Sequence, residues 1–230
     1  MTALVFDIET GPLPESELEA MMPQFDPSEV KFGNIKDPAK ITEKVSEAEA
    51  NHRRNYFDKA ALDPLTGRVV AIGVKLFKSD GGKGFDFSGL GELSIIGDDD
   101  EAAMLKEFWD SMRGYAGRLH PLIGFNIFSF DLPFLIKRSW KHRISIPGGI
   151  RRGRYWSDQV IDLRDTWQLG DRQAHGSLDR ISKHLGVGAK NGDGKVFAEL
   201  WRADRAAAEA YLKNDVELTA KVADVLGVVV

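Results

Sequence analysis

Three short motifs place acidic side chains at spacings that could do chemistry. The first is Asp7-Ile-Glu9, which ends the apolar run Ala3-Leu4-Val5-Phe6. Alternation along a strand puts Asp7 and Glu9 on one side, where two uncompensated carboxylates repel and raise each other's pKa. A hard divalent cation removes that conflict. Two solvated acids at a strand end are the alternative interpretation of this motif taken alone.

Asp-x-Glu alone carries little information, because the chain contains it at Asp7/Glu9, Asp99/Glu101 and Asp215/Glu217. Context separates the three occurrences. Asp99 lies in an acidic run before a predicted helix, where a favourable interaction with the helix dipole explains it. Only the Asp7 pair follows an apolar strand and is itself followed by Thr10-Gly11-Pro12.

The second motif lies within Gly124-Phe-Asn-Ile-Phe-Ser-Phe-Asp-Leu-Pro-Phe134. Asn126 follows a short predicted strand, and such an asparagine can hold a turn or contact a phosphate or sugar. Asp131 stands where a helix is predicted to begin, so it is either a cation ligand or an N-cap.

The third motif is Tyr211-Leu-Lys-Asn-Asp215. Tyr211 and Asp215 are four residues apart and therefore share one face of a helix. A surface hydrogen bond between the two side chains is the alternative to a functional pair.

In this order and at these separations, the three motifs resemble the DEDD superfamily of exonucleases. The Tyr-x-x-x-Asp form of the third motif resembles the tyrosine subclass, which includes the proofreading domains of family-A and family-B DNA polymerases. The sister subclass has a histidine five residues before the last aspartate, where this chain has Ala210. The chain looks most like stand-alone exonucleases related to the family-B proofreading domain. The resemblance covers most of residues 1–12 and 62–225 and includes the stretch 177–190.

This resemblance implies an enzyme that removes nucleoside monophosphates from the 3′ end of single-stranded DNA with two Mg²⁺ ions, which Mn²⁺ would replace. Asp7 would bridge the ions, Glu9 and Asp215 would complete the ion that activates water, and Asp131 would serve the second. Tyr211 would orient the attacking water, because a phenol is a poor base unless its pKa is perturbed. Sparse protein ligation is expected, since Mg²⁺ keeps several waters.

Expected substrate contacts lie around these acids. Thr10 and Gly11 offer backbone and hydroxyl groups to the terminal nucleotide, and Asn126 and Phe130 are candidates for sugar or base contact. Residues 137–154 contain seven Lys or Arg and no acid, a pattern that suits a phosphate track or a solvated surface. The members predicted to bind substrate are Arg151, Arg152 and Arg154. Asp162 and Asp165 are expected to be turn or salt-bridge acids.

Composition is compatible with this function. With 230 residues of which 43% are hydrophobic, the chain fits one domain, so a single exonuclease domain over residues 1–230 is expected. It has no cysteine and a formal net charge of −4. Without the four proposed ligands, 35 − 4 = 31 acids face 31 Lys and Arg, so the acidic balance does not exclude nucleic acid. No stretch has the length and hydropathy of a membrane span, and a cytoplasmic location is expected.

The elements needed to position the motifs can be read from the pattern. Strands are predicted at residues 3–7, 68–77, 121–125 and 159–163, with one or two more within 84–96. Helices are predicted at about 98–112, 131–140, 177–185 and 203–226. This order indicates an α/β fold, and the resemblance implies a ribonuclease H-like mixed sheet flanked by helices. Residues 13–66 are predicted to be a helical insertion between the first two strands, with Asp37-Pro38 starting a helix.

Three other functions remain open. An exoribonuclease would use the same site, since nothing in the sequence reads the 2′-hydroxyl. A catalytically silent nucleic-acid-binding module would not need all four carboxylates and Tyr211. A two-metal phosphatase acting on small molecules is disfavoured by the basic stretch. Proofreading would have to act in trans, with replication or repair proteins as partners.

Overall fold

The computed structural model describes residues 2–78, 93–97, 100–112, 121–148, 150, 160–171, 173–174, 176–192 and 194–228. The chain forms two compact units: Met1–Thr10 with Val69–Val230, and Gly11–Arg68. The second unit matches the predicted insertion in chain position. The single exonuclease domain over residues 1–230 stays a prediction.

A five-stranded sheet forms the centre of the fold, with the order β3-β2-β1-β4-β5. β1 pairs with β4 and β4 with β5 in parallel, whereas β2 and β3 are antiparallel, so the predicted mixed sheet is confirmed. The strands are β1 (Thr2–Pro12), β2 (Gly67–Lys78), β3 (Ser94–Ile96), β4 (Leu122–Gly124) and β5 (Val160–Asp162).

Eight α-helices are present in the described residues, and those outside the insertion flank the sheet. They are α1 (Glu15–Met21), α2 (Pro38–Lys59), α3 (Glu101–Ser111), α4 (Asp131–Lys141), α5 (Leu163–Gln168), α6 (Leu178–His184), α7 (Phe197–Ala203) and α8 (Arg205–Val225).

Alternation along β1 assigns its side chains to two hydrophobic layers. Leu4, Phe6 and Ile8 belong to one core, which also contains the apolar faces of α3 and α4. Ala3 and Val5 belong to the opposite core, with the buried residues of α6, α7 and α8. Odd-numbered positions of β1 therefore face the layer that contains α8, and this parity also applies to residues 7 and 9.

A buried ion-pair network joins α3 to α4. The Glu101 carboxylate accepts hydrogen bonds from the Arg138 guanidinium at 2.9 and 2.6 Å, from the Val69 main-chain N–H at 2.8 Å, and pairs with His142 Nε2 at 2.8 Å. Burial opposes ionisation, but the hydrogen bonds from Arg138 and His142 outweigh it and lower the pKa of Glu101. The network fixes α4, whose first residue is Asp131.

Two helices were not predicted. The last predicted strand is shorter than expected, and α5 begins directly after it because Asp162 caps the helix by accepting from the Arg164 N–H at 2.9 Å. The long helix predicted over 203–226 is α8, and α7 is an additional helix directly before it. Asp204 has a non-helical backbone (φ −146°, ψ 89°) and separates α7 from α8.

The insertion unit is helical, as predicted, and the helix expected to start at Asp37-Pro38 is α2. Asp37 caps α2 by accepting from the Ala39 N–H at 3.0 Å, with Pro38 in the first turn. None of the 22 residues of α2 is fully buried. A 3₁₀ turn, Pro27–Glu29, lies between α1 and α2 and is capped by Asp26.

Candidate metal centre and active site

Three carboxylates converge where β1 leaves the core. One oxygen each from Asp7, Glu9 and Asp215 lies within 4.8 Å of the others. The two β1 residues meet the third because odd positions of the strand face the α8 layer. Glu9 is 8% exposed and Asp215 1% exposed. The group is therefore a compact and mostly buried set of hard oxygen donors, the ligand type that Mg²⁺ and Mn²⁺ prefer.

The fourth predicted acid approaches from the other layer. Asp131 opens α4 and is 4% exposed, and its Oδ1 accepts a hydrogen bond from the main-chain N–H of Ile8 at 3.3 Å. It lies outside the 4.8 Å group, but its negative charge raises the pKa of Asp7. The N-cap position belongs to Phe130, which makes no side-chain cap bond, so the N-cap interpretation of Asp131 is wrong.

The environment of these acids disfavours their ionised forms. Burial, followed by the charges of Asp131 and Asp215, raises the pKa of Asp7 well above its usual value. Burial and the neighbouring carboxylates do the same to Glu9. Burial also raises the pKa of Asp131 to about 7. Close carboxylates with raised pKa values are typical of sites that can bind cations.

The ammonium group of Lys190 contacts the carboxylate cluster. The Nζ of Lys190 lies 2.5 Å from Oδ2 of Asp215. Burial works against charge on Lys190, but Asp215 outweighs it and raises the pKa of the ammonium. Lys190 is the last residue of the stretch 177–190 that resembles the exonuclease family, but the sequence alone assigns it no role. The overlooked signal is the alternation of glycines around it in Gly186-Val-Gly-Ala-Lys-Asn-Gly-Asp-Gly194.

The same segment packs against Tyr211. A Cβ on Gly192 would lie 2.7 Å from the Tyr211 ring, and one on Gly194 would lie 3.4 Å from the Tyr211 hydroxyl and 3.5 Å from Oε2 of Glu9. A Cβ at Gly192 would therefore clash with the Tyr211 ring, whereas one at Gly194 would only touch the Tyr211 hydroxyl and Glu9. The ring of Phe197 lies 5.9 Å from that of Tyr211, so α7, which the sequence did not predict, supports the tyrosine.

Tyr211 is placed as a neutral hydroxyl facing the carboxylates. Its oxygen is buried and lies close enough to Lys190 and Asp215 to influence their pKa values by hydrogen bonding. Burial, with the charges of Glu9 and Asp215, raises the pKa of this phenol. The hydroxyl therefore stays protonated near neutral pH and can position a polar group, but it is not a base.

Asn126 forms part of a loop clamp. It has φ +64°, a conformation that asparagine tolerates, and its Oδ1 accepts from the Arg164 guanidinium at 2.7 Å. The Asp162 carboxylate accepts from the main-chain N–H groups of Asn126 and Phe128 at 2.8 and 2.9 Å. Asp162 is thus a turn acid, as expected, and the side chain of Asn126 holds its own turn.

The other predicted substrate residues occupy varied positions. Thr10 is half-buried and Gly11 is buried, both within β1. Phe130 is half-buried, with its ring 5.6 Å from that of Phe134. The predicted contacts Arg151, Arg152 and Arg154 lie outside the described residues.

The basic stretch is smaller than its sequence indicates. Arg138 is 4% exposed and paired with Glu101, which also pairs with His142, so these two residues are structural and their assignment to a phosphate track is wrong. Lys137, Lys141 and Arg143 are exposed. Trp140 is 55% exposed.

A family model described as a predicted 3′-5′ exonuclease related to the exonuclease domain of PolB matches residues 62–221. The chain belongs to this exonuclease family. The match includes Asp131, Tyr211 and Asp215 and begins at residue 62, near the end of the insertion.

Two known proteins are similar to this member of the exonuclease family. An uncharacterized protein of Methanocaldococcus jannaschii is 31% identical over 175 residues, which are 70% of this chain and 87% of that protein. The family B DNA polymerase of the hyperthermophilic archaeon Pyrobaculum calidifontis matches in structure with a TM-score of 0.62 at 19% identity. That match covers 98% of this chain and 24% of the polymerase, and it supports the ribonuclease H-like fold.

Proposed function

We propose that the protein hydrolyses the terminal phosphodiester at the 3′ end of single-stranded DNA and releases nucleoside monophosphates with the help of two divalent ions, Mg²⁺ in the cell. The proposal rests above all on one observation. The carboxylate oxygens of Asp7, Glu9 and Asp215 lie within 4.8 Å of one another in a chain that belongs to a predicted 3′-5′ exonuclease family.

The donor set fits such ions. All four acids offer hard oxygens, and Oδ1 of Asp215 is buried without a hydrogen-bond partner among the described residues. Four carboxylates and one phosphate carry about −5, which two divalent ions reduce to about −1 and the Lys190 ammonium brings close to zero. Divalent ions in such sites lower the pKa of a bound water and stabilise charge on the attacking and leaving oxygens.

Each acid has a role that its position supports. Asp7 would be a ligand to both ions, because it belongs to the close group and its pKa is also raised by the charge of Asp131. Glu9 and Asp215 would complete one ion site. Asp131, which accepts from the Ile8 N–H, would serve the other directly or through water.

Tyr211 positions the attacking water. Its raised pKa keeps the hydroxyl protonated, so it can exchange hydrogen bonds with the water without removing the proton. Gly192 and Gly194 leave room beside the ring and Glu9, and Lys190 stabilises the negative charge of Asp215 while the site fills.

A row of side chains along α4 suits the approaching strand. Phe130, Lys137 and Lys141 are spaced seven and four residues apart, which places them on one flank of the helix. The two lysines are exposed, and at 1.5 Å per residue they lie roughly 9 and 15 Å along the axis from Asp131. An aromatic ring near the metals followed by spaced cations is suited to a base and successive phosphates.

The same site would serve an exoribonuclease, since none of the described contacts distinguishes a ribose from a deoxyribose. A silent binding module would have no need to bury mutually repelling acids. Thr10, Gly11, Asn126 and the three arginines stay proposed substrate contacts, with Asn126 acting through the loop that it holds.

The direct test is hydrolysis of a 5′-labelled single strand by the purified protein with Mg²⁺. We expect shortening in one-nucleotide steps, abolished by Asp7→Asn and retained by Asp165→Asn, which changes an exposed acid outside the site. Full-length substrate persisting with both Mg²⁺ and Mn²⁺ would contradict the proposal, and internal fragments from the outset would indicate an endonuclease. Matched DNA and RNA strands decide between the two sugars.

A further inference from the structure

The insertion unit contains a groove that the proposed chemistry does not use. It has a volume of about 760 Å³ and is lined by residues between Pro23 and Lys31 and by one face of α2 from Lys44 to Asn55. All of these residues belong to the unit Gly11–Arg68. The groove is therefore a property of the insertion itself.

The groove has defined walls. Its α2 positions are 44, 47, 48, 51, 52 and 55, a spacing that marks a single helix face. The opposite wall is fixed because Asp26 caps the 3₁₀ turn by accepting from the Ser28 N–H at 2.8 Å. His52 joins the walls, with Nε2 3.0 Å from the Pro23 carbonyl oxygen. No residue of α2 is fully buried, so this face of the helix is not packed into a hydrophobic core.

Its side chains suit a flat, hydrogen-bonding ring. The rings of Phe25 and His52 lie 5.8 Å apart at one end and offer surfaces for stacking. Gln24, Asn51 and Asn55 also line the groove, and each carboxamide can donate and accept. No hydrogen bond to any of these three side chains is found among the described residues. Mixed donors and acceptors beside aromatic rings are how proteins contact unstacked bases.

The charges select among possible ligands. The lining contains Lys31 and Lys44 against Asp26, Glu29 and Glu47, a formal sum of 2 − 3 = −1. A groove with this balance does not attract a phosphate backbone, so electrostatics favour a neutral part of the ligand. A nucleobase is neutral, stacks and presents a hydrogen-bonding edge.

We propose that the insertion groove binds an unstacked nucleobase of a single-stranded nucleic acid, separately from the carboxylate site. The inference rests on the proposed function only in taking the same class of substrate. It gives the insertion a substrate-holding role that hydrolysis itself does not require.

The test is photocrosslinking of a short strand containing 4-thiothymidine to the full chain with Asp7→Asn, followed by mapping of the adducts by mass spectrometry. We expect adducts within residues 23–31 and 44–55. Phe25→Ala should reduce the yield of these adducts about tenfold, because a stacking surface is lost. Asn51→Ala should reduce it by roughly threefold or more, because a hydrogen-bonding carboxamide is lost. Asn34→Ala is the matched control, an exposed asparagine of the same unit that does not line the groove.

Adducts confined to other peptides would overturn the inference, as would unchanged yields in both groove variants when circular dichroism shows them folded. The outcome is independent of catalysis. A groove that crosslinks in a protein that fails to degrade the strand would contradict the proposed function and support the inference. Degradation of the strand without groove adducts would support the proposed function and contradict the inference.

Discussion

At the residue scale, the site is organised by the conflict among its acids. Asp7 and Glu9 are adjacent odd positions of one strand, and Asp215 reaches them from a packed helix. Burial and mutual repulsion raise the pKa of Asp7 and Glu9, which costs folding free energy when no cation is present. Lys190 reduces that cost, because its ammonium lies 2.5 Å from Asp215.

Lys190→Met tests this role. Without metal at neutral pH, the variant should lose roughly 3 kcal/mol of unfolding free energy, because removing one partner leaves a buried carboxylate without its counter-charge. Urea denaturation in EDTA measures the loss, and added Mn²⁺ should reduce it. Lys183→Met changes an exposed lysine on α6 and should cost less than about 1 kcal/mol. Equal stability of the two variants would show that the ion pair contributes nothing.

Several of these residues could be predicted from the sequence because their signals are local. The alternation of Asp7 and Glu9 and the four-residue spacing of Tyr211 and Asp215 are set by strand and helix geometry. Lys190 could not be predicted in the same way, because its partner is 25 residues further along the chain. The burial of Arg138 was missed for a similar reason, since Glu101 is 37 residues away.

At the element scale, the position of the fourth acid, Asp131, depends on how α4 is held. The Glu101 carboxylate ties α3 to α4 and to β2 through Arg138, His142 and the Val69 N–H. Asp131 is the first residue of α4, so a shift of this helix moves the fourth acid. The clamp by Asp162 fixes the loop between β4 and α4 in the same way.

Glu101→Gln should destabilise the protein by roughly 3 kcal/mol, because the buried Arg138 guanidinium then loses its ion pair with Glu101. Glu107→Gln on the exposed side of α3 is the matched control and should lie within about 0.5 kcal/mol of wild type. Urea denaturation of both variants measures the difference. An unchanged midpoint for Glu101→Gln would show that the network does not hold α3 and α4 together.

The main helices and strands could be predicted because hydrophobic periodicity marks them. The two helices that were not predicted, α5 and α7, are not separated from their neighbours by the glycine or proline residues that usually mark boundaries. α5 starts at the residue directly after the end of β5, and no glycine or proline separates α7 from α8. The break at Asp204 is visible only in the backbone, where its side chain caps α8 through the Ala207 N–H at 3.0 Å.

At the scale of the whole molecule, the fold provides a sheet with a different layer on each face, and the acids meet where β1 emerges between them. Among the described helices, none has the length and hydropathy that a membrane crossing needs. The insertion is a second compact unit with a groove of its own.

The stability of the whole molecule should depend on pH in a direction set by the acids. Asp131 has a pKa of about 7 in the folded protein and about 4 in the unfolded chain, so the folded state binds more protons between these values. In EDTA, its contribution therefore decreases as pH rises from about 4 to 7. Denaturant titrations should show a more negative slope of stability against pH for wild type than for Asp131→Asn. Identical slopes would contradict the raised pKa.

The carboxylate cluster is expected to bind divalent metal, and direct titration with Mn²⁺ tests this binding without requiring turnover. Isothermal titration calorimetry should detect binding to the wild-type protein and a loss of at least about tenfold in affinity for Asp7→Asn. Asp165→Asn should bind like wild type. Binding of Mn²⁺ to Asp7→Asn with wild-type affinity and stoichiometry would show that these acids do not form the metal site.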